Sequence, residues 1–400
     1  MFFDTSISGV NAAAGLMNIA GNNVANSSTV GFKGATANFS AMLSGSVGAA
    51  AGAQTFNQGV IAASTNTTDL AINGNGFFRT IEANNTVSYT RNGQFSVNNV
   101  GNLVNASGAK LTDIAGAPIV INNATTSPAK ASTTITASQY LDPNLPIINQ
   151  TTTPFSTTNP QSYSAMNSVQ AYDNLGNVQN VQVYYVNNGA NNYSVYSNTQ
   201  TNPTPVALGS ITINPITGQI TTAAPAATTP ATVISSGATL PPTFSGVPIN
   251  AANNSFVTLN LAAVTQVLTG VPSTMTTDGN PVGLLNSFNI GSDGFITGAF
   301  SNSQTLKIGQ QVGLVNFASP SGLLSTGRNS WTATAASGAP LNGTPSSSGF
   351  GSIQSSALEG SNVDMTVQLV DLLSAQRAYQ ANSQVIKAQD QALQTITSLR

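Results

Sequence analysis

The sequence predicts a mainly β protein framed by two terminal α-helices. Three observations carry this reading. Apolar residues recur at heptad spacing at both ends of the chain. Short strand-like runs separated by Asn-Gly and other turn residues fill the interior. Charge nearly vanishes from the middle, where positions 143–277 carry only Asp173. The expected architecture pairs the N- and C-terminal helices as a coiled coil. Two nested β-rich domains of sandwich or barrel type lie between them, the middle one inserted into the other.

The first helix is read from Phe3, Ile7, Val10, Ala14, Met17, Gly21 and Val24, which alternate steps of four and three. Asp4 is its expected N-cap. Asn22, Asn23, Asn26 and Gly31 end the pattern, so residues 1–33 form one half of a helical layer. Residues 34–69 read as an extended connector, with Gly45–Ala53 a small-residue, low-complexity stretch.

Strand candidates follow at 76–81, 87–91 and 94–97, punctuated by Asn73-Gly74, Asn75-Gly76 and Asn92-Gly93. Asn-Gly suits type I′ turns, where both central residues need positive φ. Further candidates are 178–186, 193–196, 211–213, 256–261, 288–290, 295–300 and 312–317. The turn-rich stretches 143–160 and 269–281 flank the nearly uncharged middle. They delimit an outer β domain at 143–277, inserted into a discontinuous β domain at 70–142 and 278–360.

The last helix is the clearest element. Met365, Leu372, Tyr379, Ile386 and Leu393 repeat at sevens, and Ala378, Val385, Ala392 and Leu399 form a second row. Ser361 with Asp364 has the spacing of a capping box, with Asp in place of Glu or Gln. Residues 361–400 complete the helical layer, and positions 363–399 would make a rod of about 55 Å. Each helix has one apolar stripe, interrupted in the second by Asn382 and Gln389. They are therefore expected to pack on each other or on copies in other subunits; the alternative is an amphipathic helix lying on a β domain.

Composition removes most chemistry. The 400 residues include 10 Lys or Arg and 12 Asp or Glu, with no His and no Cys. Disulfides, thiolates and zinc–cysteine sites are excluded, and the usual general base is missing. A net charge of −2 without a basic run gives no nucleic-acid footprint. No stretch reaches the ~18 apolar residues of a membrane helix, and residues 1–32, with neither a basic start nor an apolar run ahead of Lys33, are not expected to act as a Sec-type leader. Asp278 and Asp293 are the nearest carboxylate pair in the β region, but Ser292-Asp293-Gly294 reads as a turn. Ser127 and Lys130 have an S-x-x-K spacing in a Thr-rich loop, not at a helix start. No catalytic residue, metal site or cofactor is predicted.

Two segments rise above this background. One is Gly21-Asn22-Asn23-Val24-Ala25-Asn26 through Thr29-Val30-Gly31-Phe32-Lys33. The other is Leu358-Glu359-Gly360-Ser361-Asn362-Val363-Asp364, continued by Gln376-Arg377-Ala378-Tyr379-Gln380-Ala381-Asn382. Together they resemble the terminal signatures of the bacterial flagellar axial proteins, the family of rod, hook and hook-associated subunits. Gly74–Phe78, Tyr89–Phe95, Gly101–Val104 and the 293–338 region extend the similarity through the β domain. Val30 and Gly360 are mild departures. The inserted domain and the ending from Gln389 favour a hook-type member over a distal-rod type; a β-rich surface adhesin is the alternative from another class.

The resemblance implies a homopolymeric helical tube with terminal helices at its inner wall and the inserted domain facing solvent. It implies torque transmission from rod to filament through a curved joint, and an extracellular location. It also implies export through the flagellar type III apparatus and contact with rod, hook cap and hook–filament junction proteins. Neither nucleic-acid binding nor membrane insertion is implied. Two physical expectations accompany it. A lone amphipathic helix is marginal in water, so the termini should order on assembly. Neutral Asn, Thr and Ser surfaces exchange hydrogen bonds at small net cost, which suits contacts that slide; a lineage bias in composition would produce the same low charge.

Overall fold

The structure is a computed structural model that describes residues 2–37, 39–41, 47–49, 52–122, 125–201, 203–225, 232–233, 243–250, 255–266 and 273–398. The chain forms two compact units. The first joins 1–125, 285–299 and 305–400, and the second takes 126–284 with 300–304. The second unit thus begins ahead of the 143–160 segment, which lies inside it. The reason is pairing: Thr134–Ser138 runs between Ser255–Asn260 and Thr274–Thr277 and cannot be separated from them.

In the first unit, helix α1 spans Phe2–Ala25 and helix α2 spans Met365–Ser398. Asp4 lies inside the first turn of α1, where a carboxylate complements the dipole without being the cap. At α2 the cap is Asp364 itself: its Oδ1 accepts the N–H groups of Thr366 at 2.8 Å and Val367 at 3.3 Å. Ser361 stands outside the helix, its Oγ accepting the Val363 N–H at 3.2 Å. The expected capping box is therefore a single Asp cap preceded by a short turn. The connector contains paired strands, Ala35–Thr36 with Ala53–Gln54 and Phe39–Ala41 with Val47–Ala49. Positions 42–46 and 50–51 of the small-residue stretch lie outside the described residues.

The β part of this unit is built around Phe77–Ile81, which pairs with Val87–Thr90, Lys110–Leu111 and Leu314–Asn316. Alternation along that strand sends neighbouring phenylalanines to opposite faces. Phe78 joins Leu70, Leu103, Leu111, Val312 and Leu314, whereas Phe77 joins Tyr89, Phe317 and Trp331. The three Asn-Gly pairs are not type I′ turns. Gly74 and Gly76 have positive φ, but their asparagines do not. Gly93 serves close approach: a Cβ there would stand 1.6 Å from the Leu70 carbonyl oxygen. Consecutive positive-φ residues occur instead at Ala190-Asn191 and Arg328-Asn329, each joining two antiparallel strands.

The second unit is described by two five-stranded sheets. Ala165–Tyr172, Val178–Gly189, Asn192–Thr199, Val206–Ile213 and Ile220–Pro225 form an antiparallel meander. The other sheet orders Thr232–Val233, Thr243–Asn250, Ser255–Asn260, Thr134–Ser138 and Thr274–Thr277. Val183, Tyr185, Val195 and Ile211 of the first share one core with Ile135, Phe244, Val257 and Leu259 of the second. Asp173, at a hairpin turn, is fully buried. Its carboxylate accepts backbone N–H groups of Leu175 and Asn177 and side-chain amides of Asn177 and Asn250.

Candidate assembly site

The two helices lie antiparallel. Asn23 Nδ2 near the end of α1 donates to Gln368 Oε1 near the start of α2 at 2.8 Å, and Gly9 lies against Asn382 further along. Among the described side chains of α1 the most buried are Ser6, Ala13, Ala20 and Asn23. Among the described side chains of α2 the fully buried one is Ala375. Small residues let the two backbones approach. The apolar row expected to form the seam is displaced by one residue: Ile7 is 44% exposed, while Val10, Ala14, Met17 and Val24 are half-buried.

In α2, Leu372 and Ile386 are half-buried, whereas Met365, Tyr379 and Leu393 are exposed. Ala378, Val385 and Ala392 are also exposed and form no part of the buried strip. That strip runs instead through Gln368, Ala375, Asn382 and Gln389 beside Leu372 and Ile386. The side chain of Phe3 and the whole of Leu399 lie outside the described residues. Val367, Val370 and Leu373 add further exposed apolar surface to α2, with Val370 61% exposed.

The signature residues converge at the root of the pair. Glu359 is fully buried and accepts from Lys33 Nζ at 2.7 Å through Oε1 and from Arg91 Nη1 at 3.0 Å through Oε2. Oε1 also accepts the Gly59 N–H at 2.8 Å. Lys33 completes its contacts at the Asn57 carbonyl, and Arg91 at that of Gly74. Burial pushes the Lys33 ammonium and the Arg91 guanidinium down from their usual ranges, and Glu359 opposes both shifts. Asn362 receives the Gly34 N–H on Oδ1 and donates to the Thr55 carbonyl, each at 2.8 Å. Asn23 likewise donates to the Ala35 carbonyl and accepts the Ala35 N–H.

Gly31 sits beside this cluster with φ +66°, its N–H donating to the Glu359 carbonyl at 2.7 Å. A Cβ there would stand 2.5 Å from the Asn92 nitrogen, so the position admits only glycine without strain. Asn26 folds back on Asn22 at the end of α1, and Phe32 is half-buried. Gln376 and Arg377 are exposed on α2, away from the root. Arg91 belongs to the root but lies outside the terminal signatures. Its signal was present: a lone cation beside the Asn92-Gly93 turn, in a chain with few charges.

Comparison with known proteins identifies the class first. Residues 3–33 match the flagella basal body rod protein family, and 354–399 match the C-terminal family of the flagellar basal body rod FlgEFG proteins. Residues 71–138 match the flagellar hook protein FlgE/F/G D1 domain and 140–280 the FlaE D2 domain. The chain is 38% identical to the flagellar hook protein FlgE of Escherichia coli and 37% identical to that of Salmonella typhimurium, covering 100% of both chains in each case. The hook protein of Brucella suis is 28% identical over 99% of this chain and 98% of its own. The chain belongs to the flagellar hook protein family.

Proposed function

We propose that this chain is the structural subunit of an extracellular hook, polymerising into a curved helical tube through its terminal helices. One observation supports the reading above others. The helices use small and polar residues against each other and leave larger apolar side chains, Ile7, Val370, Leu373, Val385 and Leu393, facing outward. Large apolar side chains left exposed along both helices call for a partner, and copies of the same pair supply one. The expected inner-wall seam residues, including Ala378 and Ala392, take this intersubunit role. The tube carries torque between rod and filament, and the outer β unit meets its neighbours through neutral, exchangeable contacts. Rod, cap and junction proteins are its neighbours in this assembly, and the flagellar type III apparatus is its export route.

The test is direct. Val370→Asp and Leu373→Asp should leave thermal unfolding of the isolated subunit within about 0.5 kcal/mol of the parent. Both should abolish tubes seen by electron microscopy of concentrated protein. Tubes of normal length from both variants would overturn the assignment of this face.

A further inference from the structure

We infer that Arg91 and Glu359 are positioning residues for assembly, fixing the angle at which α2 leaves the β part of its unit. This rests on the polymerisation reading above and adds the device that makes helix placement reproducible. Glu359 ends the strand Ala357–Glu359, paired with Ile61–Ala63, six residues before α2 begins. Through one side chain it holds the segment after α1 (Lys33), the connector (Gly59) and the β sheet (Arg91). Its carbonyl holds Gly31 as well. Lys33 and Gly59 belong to the root, so Arg91 is the arm that reaches the β body.

The chemistry favours geometry over adhesion. A buried ion cluster is no better for stability than well-packed apolar residues, and its best-attested use is to specify one arrangement. Here two cations share one carboxylate, and Arg91 Nε finds no partner among the described residues. Such a cluster is costly, and it tolerates only one orientation of its members. The lever is long: a 34-residue helix spans about 50 Å, so a tilt of about 10° at its root moves the far end by about 9 Å. That displacement approaches a full helix diameter and would break intersubunit register.

Arg91→Met tests this without stranding a charge, because Lys33 and Glu359 remain paired. The cysteine-free chain allows spin labels at Ser96→Cys, on the β sheet, and Gln384→Cys, on α2; both parent residues are exposed. The expected result is a distance distribution at least about twofold broader in Arg91→Met than in the parent, together with loss of regular tubes. The triple variant Lys33→Met, Arg91→Met, Glu359→Leu removes every charge of the cluster at the loss of the Gly59, Asn57 and Gly74 backbone contacts; it should still unfold cooperatively and still fail to form regular tubes. An unchanged distribution in Arg91→Met, or tubes of parental symmetry from the triple variant, overturns the proposal. If the parent itself forms no tubes, the polymerisation reading fails, while the distance measurement still decides whether Arg91 sets the helix angle.

Discussion

Asn382 of α2 fills the notch left by Gly9 of α1: a Cβ on Gly9 would stand 2.7 Å from Asn382 Nδ2. Gly15, on the same helix, has open space where its Cβ would be. Alanine gains about 0.5–1 kcal/mol over glycine in a helix interior. Gly15→Ala should therefore stabilise α1 in its place against α2 by that amount. Gly9→Ala should lose the gain, since Asn382 must move, and come out neutral or destabilising. Amide hydrogen exchange across residues 2–25 reads the difference. Should Gly15→Ala also weaken polymerisation, the open space at Gly15 is where a neighbouring copy packs.

This notch explains what the sequence could and could not disclose. The heptad period of both helices was legible because burial of one stripe imposes it. The phase in α1 is not legible, because large apolar residues mark an inward row by pattern alone, whereas close helix approach is set by small ones. Close approach of two helices instead selects Ser6, Gly9, Ala13 and Ala20, and leaves Ile7 and Val10 outside the most buried strip. Strand positions follow from short strand-forming runs bounded by turn residues and match closely, as at Val178–Gly189 and Phe295–Phe300. The Asn-Gly pairs do not report type I′ turns, because glycine serves close approach as well as positive φ. Lys33 and Glu359 were marked by the signature, yet their contact spans 326 positions, beyond any local rule.

Glu359→Gln leaves two buried cations facing a neutral amide. Removing one partner of a buried pair costs about 3–5 kcal/mol, and the Gly59 N–H loses its charged acceptor. The unfolding free energy of the first unit, read from a denaturant titration, should fall by that amount. The Lys33→Met/Glu359→Gln double variant should recover part of it by removing one stranded cation. A double variant no better than the single one would show that Lys33 contributes little to the root.

Tyr185 lies wholly within the core of the second unit, and its hydroxyl has no hydrogen-bond partner among the described residues. Burial pushes its phenol up from the usual range. Tyr185→Phe removes an unpaired polar atom without changing the ring's packing. It should stabilise the second unit by about 1 kcal/mol, read as a rise in its melting temperature. A drop of that size would reveal a partner for the hydroxyl.

Acid should act first on the second unit. Burial pushes Asp173 up, but the amides of Asn177 and Asn250 and the N–H groups of Asn177 and Leu175 outweigh it, holding the carboxyl at about 2. Asp278 is likewise opposed by burial, yet Thr133, Thr134 and Lys130 hold it well below the usual carboxylate range. A carboxylate depressed on folding contributes its full stability above its unfolded value of about 3.9, and loses it as pH falls through the folded value. The second unit should therefore weaken progressively between about pH 4 and pH 2. Asp173→Asn places an NH₂ group or a weaker acceptor against the donors of Leu175, Asn177 and Asn250 and should cost about 2 kcal/mol at neutral pH. It should also flatten the acid dependence over that window. If the variant keeps the parent's slope between pH 4 and pH 2, Asp173 is not the group that carries it.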